Sequence, residues 1–495
     1  MKEGAWTRRE VVRSGVATAA ALTLGRMYAQ STSEISSGGK RLTFLTTTEA
    51  SPWQPAAILK SGSGGTTLDL VIDPDVPAGV ASRTIQGFGA CFNELGWTAL
   101  NTLSETDRQS VLRELFHPTE GTRFTFCRTP IGANDFSAGP YSYDETDSDF
   151  ELKHFSIDHD LETLVPFIHA AQKFQPKLRL WASPWTPPSW MKRNGFYAAA
   201  RSHADQKDNG IRPDQIGREG QDLFRVEPRY LETYARYFGK YIDAYAKLNI
   251  PIGMVMPQNE FNSAQPFPSC PWSAPGLASF VRYLGPEMTR RNVDIFFGTL
   301  ERGNIKLLQT AMDDPSAGPF IKGVGVQWAG KNALSAIAHT YPNLPILGSE
   351  QECGDGNNDW GYTSYCWQLM KSYFRNGARA YMYWNIALAQ GAPSTWGWHQ
   401  NSLVTVDPAG GTFRYTHDFY LLKHLTHFVD VGAHLVETSG TCDDALVFRN
   451  PDGTLVLLLR NELTHAQRIS VRIEQRIVAI ELPPDSISTL TLTTA

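Results

Sequence analysis

Between residues 83 and about 430 the chain alternates short apolar runs with longer amphipathic stretches. The runs are RTIQGFGA, RFTFCRTPIG, KLRLWASPW, IGMVMPQNE, VDIFFGTLE, IKGVGVQWAG, LPILGSEQE and ARAYMYWNIAL, each of strand length and most ending in polar or aromatic residues. Between them, stretches such as DLETLVPFIHAAQKF and YLETYARYFGKYIDAYAKL place apolar residues three and four apart, the spacing of a helix with one buried face. YTHDFYLLKHLTHFV follows the last run in the same style. Eight strand-then-helix units predict an α/β fold, a (β/α)8 TIM barrel with insertions, over residues 83–430. A doubly wound open sheet would show a Gly-rich phosphate loop after its first strand, and QGFGACFNELG contains no GxGxxG.

The flanks follow another pattern. TTTEASPWQ and TTLDLVIDP, in residues 30–82, are short alternating runs among Ser, Thr, Gly and Pro. From 431 to 495, DALVFRNPDGTLVLLLRN, RISVRIEQ, VAIEL and SISTLTLTT read with period two around a PDG turn. An additional all-β, sandwich-like domain is expected, with the N-terminal strands joining the C-terminal ones. STSEISSGGK, at 31–40, is expected to be a flexible leader.

Residues 1–29 are set apart. Arg8 and Arg9 precede a mildly apolar segment, Val16 to Leu24, much shorter than the ~20 residues of a membrane span. This layout predicts a twin-arginine-type signal peptide ending near Ala29, export to the periplasm or cell exterior, and no integral membrane segment after its removal. Without it the chain carries 40 basic and 48 acidic residues, a net charge of −8 that offers nothing to nucleic acid or anionic lipid. Six cysteines without a CxxC support no zinc or redox motif, and mostly free, buried thiols are expected. The 25 Phe, 18 Tyr and 13 Trp fit either a large aromatic core or a cleft lined with rings that suit the apolar faces of sugars.

Barrels of this kind carry their chemistry at the C-terminal ends of the strands. Around that rim the sequence places Glu94, Arg128, Asn134 with Asp135, Trp181, Trp185, Asn259 with Glu260, Glu301 with Arg302, Gln327 with Trp328, Glu350, and Trp384 with Asn385. Carboxylates, amides and indoles dominate. No His or Cys cluster predicts a metal site or a cofactor, and His424 with His427 reads as a helix face. Two glutamates on the fourth and seventh strands, Glu260 and Glu350, are the pieces of glycoside hydrolysis: one protonated to serve the leaving oxygen, one ionised to attack the anomeric carbon. Asn259 beside the acid suits a hydrogen bond to the sugar 2-hydroxyl. Glu352 competes with Glu350 by period two, but PILGSE puts Glu350 at the strand end. Arg128 serves either to keep the nucleophile ionised or as a structural ion pair inside the barrel.

These stretches, together with YSYDETDSDFELKHFSI, WASPWTPPSWMKRNG, GSEQECG and NSLVTVD, resemble glycoside hydrolase family 30, retaining enzymes with a side β-domain that include the glucosylceramidases. The resemblance implies Glu260 as acid/base, Glu350 as nucleophile and Asn259 at the 2-hydroxyl. It also implies Glu94 as a sugar-binding carboxylate, and Trp185 and Trp384 as lining of the glycone pocket. VQWAG departs from the family's His-Trp-Tyr at the sixth strand, so Gln327, Trp328 and Ala329 are expected to retune the substrate. The function expected is a retaining β-glycosidase acting on a carbohydrate or glycoconjugate, exo-acting on a glucoside, fucoside or xyloside. An endo-acting β-glycanase and a non-catalytic carbohydrate-binding protein are the alternatives. The insertion FYAAARSHADQKDNGIRPDQIGREGQDLF is a candidate for walling off one end of the site.

Overall fold

The computed structural model describes residues 35–37, 40–59, 69–79, 83–473 and 476–493. The twin-arginine segment and the cleavage point near Ala29 lie outside the described residues. Among those described, no helix is long and apolar enough to cross a membrane.

Eight parallel strands close on themselves: β1 (Gly87–Cys91), β2 (Phe126–Pro130), β3 (Arg179–Ser183), β4 (Ile252–Val255), β5 (Asp294–Leu300), β6 (Ile321–Gln327), β7 (Ile346–Glu350) and β8 (Ala378–Ala389). Closure comes from β8 pairing with both β1 and β7. The glycines of QGFGA serve strand packing: a Cβ on Gly89 would lie 2.0 Å from the Phe126 carbonyl oxygen. Helices cover the outside, as the periodicity predicts. The one spanning Pro228–Lys247 buries Leu231, Tyr234, Ala235, Phe238, Tyr241, Ile242 and Tyr245 along a single stripe, with Pro228 in its first turn.

Strand pleating decides what reaches the barrel axis. On β2, Phe126 points inward and Cys127 outward to the helices, so Arg128 points inward one layer above Phe126. On β3 the inward residue is Trp181, on β4 it is Met254, and Met256 follows just beyond that strand. Phe126, Trp181, Met254, Met256, Phe296, Leu347 and Met382 thus form a dry plug, on which the polar residues of the mouth sit.

The second domain is all-β and uses strands from both ends of the chain. Lys40–Thr48 pairs antiparallel with Ser486–Thr493, and Leu70–Pro77 lies between His434–Ser439 and Gln467–Ile473. Ile35–Ser37, within the stretch expected to be a loose leader, forms a short antiparallel pair with the Lys40–Thr48 strand. Leu455–Asn461 departs from a one-sided alternation, because all seven of its residues are buried. Leu455, Leu457 and Leu459 face the sandwich interior, while Val456 and Leu458 join Leu446, Phe448 and Ile487 in the core shared with the barrel. His424, read as part of a helix face, is a buried link between the domains: its ring nitrogens lie 2.8 Å from the hydroxyls of Thr47 and Thr489. All six cysteines are free, five of them buried.

Candidate active site

β4 stops at Val255, yet the backbone stays held to the rim: Asn259 N–H donates to the Pro184 carbonyl at 2.7 Å, and Glu260 N–H donates to Thr299 Oγ1 at 2.7 Å. Glu260 has φ +45°, a left-handed conformation that costs a non-glycine residue about 1–3 kcal/mol and that the surrounding hydrogen bonds impose. Glu350 is the last residue of β7 and sits in register with Gln327 on β6. Both glutamates line one cavity of about 460 Å³ at the C-terminal mouth, with Asp135, Trp185, Asn259, Glu301 and Trp328. Ser263, Gln265, Phe267, Arg302, Ala329, Trp398 and Gln400 complete its wall.

Arg128 organises this floor. It is fully buried, and its Nη1 donates to Glu350 Oε2 at 2.5 Å. Its Nη2 donates to Asn259 Oδ1 at 2.7 Å and to Ser183 Oγ at 2.8 Å. The guanidinium lies 4.1 Å from the Trp185 ring and 4.7 Å from that of Trp181, so indole faces share its desolvation. Asn259 Oδ1 also accepts from Thr299 Oγ1 and Gln327 Nε2, both at 3.2 Å. With its oxygen committed to three donors, the amide nitrogen of Asn259 is what the side chain offers to a ligand. Ser349 Oγ donates to Gln327 Oε1 at 3.0 Å, which turns Gln327 Nε2 toward Asn259 and Glu260.

The two glutamates differ in their partners. Burial raises the pKa of both. For Glu260 the negative charges of Glu350, Glu301 and Asp135 push the same way, to well above the carboxylate range, against only long amide contacts: Gln327 at 3.4 Å and Gln265 at 3.5 Å. For Glu350 the Arg128 charge and hydrogen bond oppose burial, helped by Trp328 and Gln327, and its rise is smaller. The shared proton therefore belongs to Glu260 and the charge to Glu350. Burial, with Glu350 adding to it, lifts Asp135 to about 8, and burial lifts Glu301 to about 7. Among the described residues no group of three or more His, Cys, Asp or Glu is arranged to hold a metal ion.

Of the residues the sequence nominates, Glu260, Glu350, Asn259, Trp185 and Trp328 line the cavity, while Arg128 and Gln327 bond directly to those that do. Trp384 stands behind, its ring 5.2 Å from that of Trp185. Three nominations are corrected. Glu94 is buried away from the cavity, where its carboxylate accepts from His159 Nε2 at 2.7 Å, the Ala138 N–H at 3.0 Å and Thr163 Oγ1 at 3.1 Å. The cause is local: Asn93 caps a helix that starts at Glu94, immediately after β1, and the helix carries the side chain outward. Asn134 closes its own turn onto the Phe136 N–H at 2.6 Å, so Asp135 is the one that reaches the cavity. Asn385 is consumed by Asn93, Gln400 and the Asn401 carbonyl, since β8 runs on past the barrel to pair with Ser402–Asp407.

Glu352 lies beyond the end of β7 and is taken by Lys331 at 2.5 Å and Tyr365 at 2.7 Å, which leaves Glu350 as the carboxylate of this strand in the cavity. Glu301 and Arg302 are cavity residues that the strand-end rule signals. Gln265, Phe267, Trp398 and Gln400 come from loops without any periodic signal. The insertion at 196–224 does not line the cavity; it braces the wall through Tyr197 near Trp396, His203 edge-on to Trp398, and Glu219 paired to Arg302 at 2.7 Å.

A buried acid and an arginine-held carboxylate facing one cavity, at the C-terminal mouth of a (β/α)8 barrel, define a glycoside hydrolase. The chain belongs to glycosyl hydrolase family 30: that family's TIM-barrel domain matches residues 85–429 and its β-sandwich domain residues 432–490. It is 27% identical over 434 residues to the lysosomal acid glucosylceramidase of Mus musculus, covering 81% of this chain and 79% of that protein. To an endo-1,6-β-D-glucanase of Aspergillus fumigatus it is 26% identical over 437 residues, covering 82% and 84%. The solved structure of SrfJ from Salmonella typhimurium has the same fold, with a TM-score of 0.79 at 23% identity over 92% of this chain and all of that one.

Proposed function

We propose that this chain is an exported, retaining β-glucosidase that works by double displacement. Glu260 protonates the glycosidic oxygen while Glu350 attacks the anomeric carbon, giving a covalent glycosyl-enzyme and the free leaving group. Glu260, now a carboxylate, takes a proton from water, which attacks the same carbon and releases the sugar with its β configuration kept. The observation that carries the assignment is the 2.5 Å bond from Arg128 to Glu350, while among the described residues no cation is bonded to Glu260. Asn259 donates to the 2-hydroxyl oxygen, and Asp135 and Trp185 hold the glycone on the Glu350 side.

Glucose is the glycone supported by the relatives, whose names, glucosylceramidase and glucanase, share a glucosyl unit. Exo action is supported by the braced wall around Trp396 and Trp398. Endo action is the second reading, favoured by the room that Ala329 leaves where the resemblance expects a tyrosine. Export rests on Arg8 and Arg9 ahead of the short apolar segment. The test is Glu260→Ala on aryl β-glucosides with good leaving groups, where azide restores turnover and yields the β-glucosyl azide. An azide-insensitive variant, or one as active as the parent, overturns the assignment. Products from β-1,6-glucan oligomers separate exo action, which releases glucose, from endo action, which releases shorter oligomers.

A further inference from the structure

Four carboxyl groups, Asp135, Glu260, Glu301 and Glu350, line the cavity, and the buried guanidinium of Arg128 is bonded to only one of them. Glu301, the residue after β5, is 1% exposed. Its Oε1 accepts from the Asn262 N–H at 2.9 Å and from Ser263 Oγ at 3.0 Å. Both donors belong to the turn that follows Glu260, which closes with Ser263 N–H on the Glu260 carbonyl at 2.9 Å and holds Glu260 at φ +45°. Oε2 of Glu301 is buried with no hydrogen-bond partner among the described residues. Arg302 offsets burial only in part: it stands 4.0 Å from Glu301 and is bonded more closely, at 2.7 Å, to Glu219. Burial of a carboxyl with one oxygen unpartnered disfavours its charged form, so Glu301 holds its proton to about neutral pH.

We infer that Glu301 is a positioning residue for Glu260: as a neutral acid it clamps the turn that presents Glu260, and by ionising as pH rises it prolongs the protonation of Glu260. This rests on the proposed role of Glu260 as acid/base. The charged and titratable groups facing the pair are Glu350 on β7, Asp135 after β2, Arg128 on β2 and Arg302 beside Glu301. In the first half-reaction a neutral Glu301 leaves Glu260 free to give up its proton. Above neutrality the new charge on Glu301 raises the proton affinity of Glu260 and extends the basic limb of the rate profile.

The test is the pH profile of kcat/KM for the full chain on an aryl β-glucoside. Glu301→Gln imitates the neutral acid, keeps an oxygen for Asn262 and Ser263, and cannot ionise. It is expected to retain the acidic limb and to move the basic limb to lower pH by on the order of one unit. Glu301→Ala removes the clamp and is expected to lower kcat across the whole range by on the order of 10²-fold. If the alanine variant does not fold, Glu301→Asp, a carboxyl one methylene short of the turn, replaces it with the same expectation. A Glu301→Gln profile that superimposes on the parent's, or that falls uniformly as Glu301→Ala does, overturns the inference. Glu260→Ala with azide, run alongside, reports on the acid/base assignment itself, so failure of that assignment is told apart from failure of this one.

Discussion

Removing the Arg128 charge is the perturbation whose consequence is easiest to work out. Arg128 is 0% and Glu350 7% exposed, so solvent screening does little to their 2.5 Å pair. Taking one partner from a buried ion pair costs about 3–5 kcal/mol when the other stays charged. At about 1.36 kcal/mol per pKa unit this corresponds to ~2–4 units. Glu350 in Arg128→Met avoids most of that cost by taking up a proton, so the loss appears as ionisation more than as unfolding. In its proposed role as nucleophile Glu350 must be deprotonated, and a raised pKa moves the acid limb of kcat/KM upward. A shift of about two units or more is expected, with about a 10²-fold loss near neutrality that is partly recovered in alkali. Arg128→Lys keeps a charge but lacks the fork that reaches Glu350, Asn259 and Ser183 together, and is expected to fall in between. The assay is kcat/KM on an aryl β-glucoside from pH 4 to 10, with thermal melting as the folding control. A folded Arg128→Met whose acid limb stays in place, with activity reduced equally at every pH, would refute this account of Glu350.

Other outcomes follow from the same geometry. Asn259→Ala is expected to lower kcat/KM by about 10²-fold on glucosides and by much less on 2-deoxyglucosides, and equal losses on both would remove the 2-hydroxyl contact. Asp135→Ala is expected to weaken glycone binding strongly while Glu94→Gln is expected to act on stability; the reverse order in KM and melting temperature would restore Glu94 to the sugar. Burial holds His424 at about 3, below its ordinary 6.5, so the native state resists a proton that the unfolded chain accepts. Its contribution to stability is therefore complete above pH 6.5 and is lost as pH falls toward 3, by about 2–3 kcal/mol at pH 4.5. Urea midpoints at pH 7 and 4.5 are expected to lie closer together in His424→Gln than in the parent, and an unchanged gap would contradict this.

The barrel was legible because each strand is a short apolar run that turns polar on reaching the rim, and Glu260 and Glu350 stand at two such transitions. Their electrostatic difference was half legible: Arg128 is an obvious cation on a strand, but only the pleat that stacks it above Phe126 and the register of the strands show which glutamate it meets. Glu94 misleads since the same strand-end rule applies to it, while the cap at Asn93 starts a helix at once and turns its side chain out of the mouth. Asn134 and Asp135 differ by one position, which turn geometry decides and residue type does not. Asn385 fails for a topological reason, as β8 is long enough to recruit another strand beyond the barrel. The leucines of LVLLLRN resist a one-face reading because their outer face is covered by the barrel, a contact between segments far apart in sequence. Trp398 and Gln265 belong to loops whose approach to the site depends on the insertion bracing them.

The central claim is that Glu350 carries the sugar between the two displacements. A 2-deoxy-2-fluoro-β-glucosyl fluoride slows both steps, release more than formation, and lets the glycosyl-enzyme accumulate. After peptic digestion and mass spectrometry, the account predicts a single fluoroglucosyl group on the peptide containing GSEQECG, with fragmentation placing it on Glu350. A label on Glu352 or Glu260, or full turnover with no covalent adduct, would contradict it.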